Sequence, residues 1–225
     1  MIEMENVKLA KLSIFQAHLE LFLDQRRKKM SELFKLGPNE FGASGAGRCM
    51  RSLYYDKFSD RDIKIATQKI FLIGEMFHTY IQDNILVGGR KEVEVLIEVD
   101  GIKIRCHVDY VDEAVVWELK TSSNLSYVSQ EPIEKHVRQI NLYLGALNRG
   151  LGKIVYLDKR YLSIVEHDVV FSQELYDDTV KKLARLYKVY LKHKELPERL
   201  ERYPRELECK RCWHKALCKN NENHF

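Results

Sequence analysis

The chain has 225 residues, 45% hydrophobic and 31% charged, the profile of a globular protein with a core as opposed to a disordered chain. No apolar run approaches the ~18 residues of a membrane span, and an N-terminus carrying Glu3 and Glu5 lacks the basic-then-apolar opening of a signal peptide, so the expected location is cytoplasmic with no membrane partner. A net charge of +4 is compatible with a polyanionic partner without requiring one, and five cysteines, an odd number, do not form a complete disulfide framework.

Residues 7–35 have a helical period, with Leu12, Phe15, Leu19 and Phe22 spaced by three and four. Residues 36–46 are rich in turn formers and read as a loop, and Ser44 is placed to cap a short helix carrying Cys49, Tyr54 and Tyr55. A second long helix spans Thr67 to Leu86 and stops at Gly88-Gly89. The period then changes to two. Residues 93–99 and 102–110 form a hairpin around Asp100-Gly101, and 115–120 form a third strand after a turn at Asp112-Glu113. A helix over 131–148 turns Ile133, Val137, Ile140 and Leu144 inward; strands follow at 153–157 and 162–170, then a helix from Gln173 to Leu196, ended by Pro197. The order predicts an α/β fold: a mixed sheet covered by helices on both sides.

On the meander, Glu118 and Lys120 are two apart and project to one face, and the preceding turn can bring Asp109 beside Glu118. Two carboxylates and a lysine on one sheet face are costly to bury for structure alone. A hard divalent cation would neutralise the acids, while Lys120 would orient a water or stabilise charge on a phosphate. By itself this spacing also describes an exposed strip of cross-strand ion pairs. Around it stand His78 on the second long helix and, on the helix after the meander, Gln139 and Tyr143, four apart on one face. Lys135 and Arg138 on that later helix offer cations to a phosphate backbone.

Gly-x-x-x-His, Asp, Glu-x-Lys and Gln-x-x-x-Tyr, in this order, resemble the RecB-like branch of the PD-(D/E)xK nuclease superfamily over roughly residues 40–218. The resemblance implies a restriction-endonuclease-like sheet and a DNA substrate. It also implies a magnesium or manganese ion held by His78, Asp109, Glu118 and the carbonyl of Leu119, with Lys120 catalytic and Gln139 and Tyr143 at the site or against the DNA. Asp109 follows His107-Val108 instead of the proline of the superfamily signature.

Cys209-x2-Cys212-x5-Cys218 supplies three soft ligands on a short segment, with Cys49 as a distant fourth and His214 as a local competitor that would complete a Cys3His zinc site. Cys106 falls on a strand and reads as a buried core residue. One N-terminal cysteine with a terminal Cys-x2-Cys-x5-Cys is similar to the iron-staple RecB-like nucleases, among them the AddB subunit nuclease domain and the CRISPR-associated exonucleases of Cas family four. That resemblance implies a [4Fe–4S] cluster on Cys49, Cys209, Cys212 and Cys218, in a lobe contributed by residues 1–60 and 200–225 of a single nuclease domain. It further implies 5′→3′ exonuclease action on single-stranded DNA before spacer integration, with CRISPR integrase proteins as partners and homo-oligomers allowed. A nuclease of repair, recombination or viral origin and a non-catalytic DNA-binding iron–sulfur module are the competing readings.

Overall fold

The period-two stretches assemble one six-stranded mixed sheet flanked by helices. In the computed structural model, which describes residues 14–33, 36–59 and 65–220, the strands are β1 (Glu40–Gly42), β2 (Arg90–Val99), β3 (Ile102–Val111), β4 (Val116–Ser122), β5 (Leu151–Asp158) and β6 (Ile164–Val170). The α-helices are α1 (Ile14–Leu33), α2 (Met50–Phe58), α3 (Ile65–Asn84), α4 (Glu134–Leu147), α5 (Gln173–Arg185), α6 (Leu207–Lys210) and α7 (Lys215–Asn220). Leu12 and both ends of the expected first helix lie outside the described residues. Two compact units are formed, Met1–Lys35 with Ile63–Ile73, and Leu36–Asp62 with Gly74–Phe225. In the first, Leu23 is buried while Phe15 and Phe22 of the expected apolar stripe are exposed.

All six strands belong to the second unit. β2 and β3 pair antiparallel from Arg90↔Val111 to Val99↔Ile102, around the Asp100-Gly101 turn. β4 pairs with β3 only at Tyr110↔Trp117 and Val111↔Val116, then runs parallel to β5 from Val116↔Gly152 to Ser122↔Asp158. Since β2 occupies one whole edge of β3, β1 takes the stretch of the other edge that β4 gives up, in parallel from Glu40↔Lys103 to Gly42↔Arg105. The sheet therefore forks between β3 and β4 at the level of Asp109 and Glu118. Backbone groups inside such a fork have no ladder partner and must be satisfied by side chains.

α4 is the crossover that lets β4 and β5 lie parallel. Its Ile140 and Leu144 are fully buried with Ile104, Val108, Val116 and Ile154 of the sheet and Leu183 and Leu186 from the α5 segment. Ile133, expected to face inward, instead precedes α4 as its N-cap and is 39% exposed. Three further expectations are corrected. The loop at 36–46 contains β1, a strand of three residues, too short to show a period. Ser44 sits in a single 3-10 turn, and Cys49 is the N-cap of α2, with no side-chain cap bond. The helix after Gln173 is α-helical only to Arg185 and continues as a π-turn over Leu186–Leu191.

Candidate metal centre and cysteine cavity

The fork is where the predicted site residues meet. Asp109 Oδ2 accepts the Leu119 N–H at 2.6 Å, so a side chain replaces the strand partner that β4 lacks here. Its carbonyl accepts from Gln82 Nε2 at 2.8 Å, and His78 Nδ1 lies 3.8 Å from Asp109 Oδ1. Gly74, one helical turn before His78, allows this approach: a Cβ on it would stand 3.2 Å from Thr121 Oγ1 at the end of β4. Glu118 is 1% exposed; Oε1 takes the Lys120 ammonium, and Oε2 is buried without a hydrogen-bond partner. An orphaned carboxylate oxygen costs free energy in a dry site and is a position that a cation would satisfy.

The electrostatics agree. Burial, reinforced by the negative charge of Asp109, pushes Glu118 up to about 8 against the pull of Lys120. Burial works against the charge on Lys120, but Glu118 and Asp109 together hold it protonated above its ordinary value. Burial lowers His78 despite Asp109, which keeps the imidazole in the neutral form that a metal needs. Two carboxylates thus share one ammonium, and a divalent cation would remove the deficit. Among the described residues, no three His, Cys, Asp or Glu side chains are gathered around one point as a closed ligand set. His78, Asp109 and Glu118 are adjacent, but Glu118 is turned to Lys120.

α4 carries Gln139 and Tyr143 to the same place. Both are buried, with Gln139 Nε2 donating to Tyr143 Oη at 2.6 Å. Burial, then the charges of Glu118 and Asp109, raise the Tyr143 phenol well above its usual value. The two proposed DNA-binding cations fare differently. Lys135 lies close enough to Lys120 for the second ammonium to add to burial in lowering it. Arg138 is held by Glu134 (2.9 Å), Asp178 (2.5 Å) and Thr179 (3.1 Å). Glu92 and Gln82 escaped sequence reasoning: Gln82 Nε2 also donates to Glu92 Oε1 at 2.5 Å. Gln82 had a usable signal, because it follows His78 by four residues on α3 and shares its face.

Cys49, Cys209, Cys212 and Cys218 line one cavity, together with Arg51, Arg199 and Lys215. Burial raises Cys209, and the other three thiols and Glu208 add to the shift, so all three thiols lie near Cys209. Glu208 fastens the two chain segments by accepting the Cys49 N–H at 2.6 Å, and Arg199 donates to the Cys218 carbonyl at 2.7 Å. Arg199 was not foreseen from sequence. His214 is committed elsewhere: it is 2% exposed, with Nε2 2.7 Å from Asp56 Oδ1 and Nδ1 3.4 Å from Ser59 Oγ. It is not among the residues lining the cavity. Cys106 is buried on β3, where burial alone pushes its thiol up to about 12.

Residues 46–219 match the family model of the PD-(D/E)XK nuclease superfamily. The crystal structure of SSO0001 is similar at a TM-score of 0.67 and 20% identity, over 92% of this chain and 98% of that one. The alkaline exonuclease LHK-Exo from Laribacter hongkongensis is similar at a TM-score of 0.51 and 12% identity, over 69% of this chain and 91% of its own. At these identities the likeness concerns the fold. No curated protein matches the chain. Among the described residues, no helix is long and apolar enough to cross a membrane.

Proposed function

The chain belongs to the PD-(D/E)XK nuclease superfamily, and from that membership we propose that it is a metal-dependent deoxyribonuclease that hydrolyses DNA phosphodiesters at the β3–β4 fork. The observation that carries the proposal is the buried, partnerless Oε2 of Glu118 beside Asp109, His78 and Lys120. A magnesium or manganese ion held by His78, Asp109, Glu118 and the Leu119 carbonyl would neutralise the acids and polarise a phosphate oxygen, with the imidazole favouring manganese. Asp109 is held in place by the Leu119 N–H, and Glu118 by its burial. Lys120, 25% exposed, would orient the attacking water and meet charge developing on the phosphate. Gln139 and Tyr143, buried near the carboxylates, would hold the site from the α4 side, and Lys135 would meet the DNA backbone, with Arg138 available to it only by leaving Glu134 and Asp178.

The further reading is an exonuclease acting 5′→3′ on single-stranded DNA in CRISPR adaptation, with integrase proteins as partners. It rests on the resemblance of the cysteine pattern to the iron-staple nucleases. A [4Fe–4S] cluster on Cys49, Cys209, Cys212 and Cys218 is favoured over Cys3His zinc because the four thiols share one cavity with three basic residues while His214 is bound to Asp56. The cluster's role is structural: it would tie α2 to the C-terminal segment across about 160 residues of chain.

The test is cleavage of end-labelled single- and double-stranded DNA with manganese or magnesium by the wild type, Glu118→Ala and Lys120→Ala. Both variants are expected to be inactive while remaining folded. Full activity in both would remove this site from the chemistry.

A further inference from the structure

Beside Lys120 lies a polar pair with no part in the chemistry above. Tyr156 stands on β5 in register with Lys120 of β4. Its phenol oxygen accepts the Ile133 N–H at 3.0 Å and lies 2.9 Å from His136 Nδ1. Tyr156 is 2% exposed. A buried hydroxyl that already accepts one bond gives its own proton to the remaining partner. Tyr156 therefore donates to Nδ1, which leaves the proton of the neutral imidazole on Nε2.

Among the described residues Nε2 has no hydrogen-bond partner, and it is not one of the buried atoms left without one, so this N–H opens on solvent. His136 precedes Gln139 by three residues and shares the face of α4 that presents Gln139 and Tyr143 to the carboxylates. Burial first, then the ammonium groups of Lys120 and Lys135, hold the imidazole neutral, with its pKa down at about 3. Both ammonium groups are therefore near the ring, which stands on the helix that carries Lys135 and is bonded to the strand neighbour of Lys120. An N–H open to solvent, with two cations near it, suits an oxygen anion.

We propose that His136 binds the substrate, donating a hydrogen bond from Nε2–H to a non-bridging phosphate oxygen of the DNA strand, and that Tyr156 is the positioning residue that fixes its tautomer. The assignment rests on the nuclease reading for its ligand. As an uncharged donor, His136 secures a phosphate without adding a third positive charge that would compete with Lys120 for Glu118.

The experiment is binding of labelled single-stranded DNA to the whole protein in EDTA across a salt series, paired with kcat and KM in manganese. His136→Ala should weaken binding about tenfold, the order expected for one hydrogen bond to a charged group. The slope of log Kd against log salt should not change, because no counterion-releasing charge is lost. His136→Gln, which keeps an amide donor near the Nε2 position, should recover most of the affinity, and Tyr156→Phe should lose part of it. Lys135→Ala should reduce the slope by about one unit. Wild-type binding and KM in His136→Ala would overturn the proposal, as would a slope reduced as in Lys135→Ala. If His136→Ala unfolds, the ordering of wild type, His136→Gln and Tyr156→Phe decides in its place. Loss of binding in a protein whose wild type never cleaves would sink the nuclease reading and keep the phosphate contact; normal binding by His136→Ala beside an inactive Lys120→Ala would do the reverse.

Discussion

Replacing Glu118 by Gln should stabilise the metal-free protein at neutral pH and remove one component of its pH dependence. Glu118 is 1% exposed, with Asp109 as a negative neighbour and one oxygen unpartnered. Its folded-state pKa is raised from 4.5 to about 8. A group raised on folding contributes stability that is complete below the unfolded pKa and is lost as pH rises through the folded one. The wild type without divalent ions should therefore lose stability between about pH 4.5 and 8, with a ceiling of about 5 kcal/mol at about 1.4 kcal/mol per pH unit. Coupling to Lys120 takes part of that, and about 2–3 kcal/mol is expected in the difference between the two proteins. His78 has the opposite sign, since its lowered pKa costs stability as pH falls through 6.5 and below, but it is present in both proteins and largely cancels. Urea unfolding from pH 5 to 8 measures the difference. Manganese should reverse the wild-type slope, because it binds the deprotonated carboxylates, and should act far less on Glu118→Gln. Equal slopes for both proteins in EDTA would refute the claim that Glu118 is the strained acid of the fork.

Lys120→Ala should lower kcat by at least about 10³ with little change in KM, which a single-turnover assay resolves. Protein purified without oxygen should be brown with broad visible absorption; Cys49→Ser should lose the colour and several kcal/mol of stability, whereas Cys106→Ser should keep the spectrum, and colourless, zinc-rich wild type would refute the cluster. Gly47→Ala should cost about 1–3 kcal/mol in urea unfolding, because its Cβ would stand 2.3 Å from Lys135 Cα, and moving that segment of α4 should weaken DNA binding as well.

The sheet hairpin, the crossover and the identity of the metal-site candidates are all legible in the order of residues along the chain. Alternation over 93–110 and the Asp100-Gly101 turn leave one pairing of β2 with β3, because a slip by one residue would turn Ile104, Cys106 and Val108 out of the core. Glu118 and Lys120 converge because residues two apart on a strand must, and Gln139 and Tyr143 because residues four apart on a helix must. These are local periods, and local periods are legible.

Features that depend on partners far along the chain emerge with the fold. β1 exists because β4 leaves an edge of β3 vacant, a demand written 63 residues away from the three residues that meet it. Arg138 is turned from a free cation into a paired one by Asp178, and His214 from a ligand candidate into a buried partner of Asp56. His136 gains its tautomer from Tyr156 on another element. The carboxylates at the fork were visible as residue types, but their energetic state was not. Glu118 is raised because burial strips its water and Asp109 adds a second charge, and both follow from where β3 and β4 part.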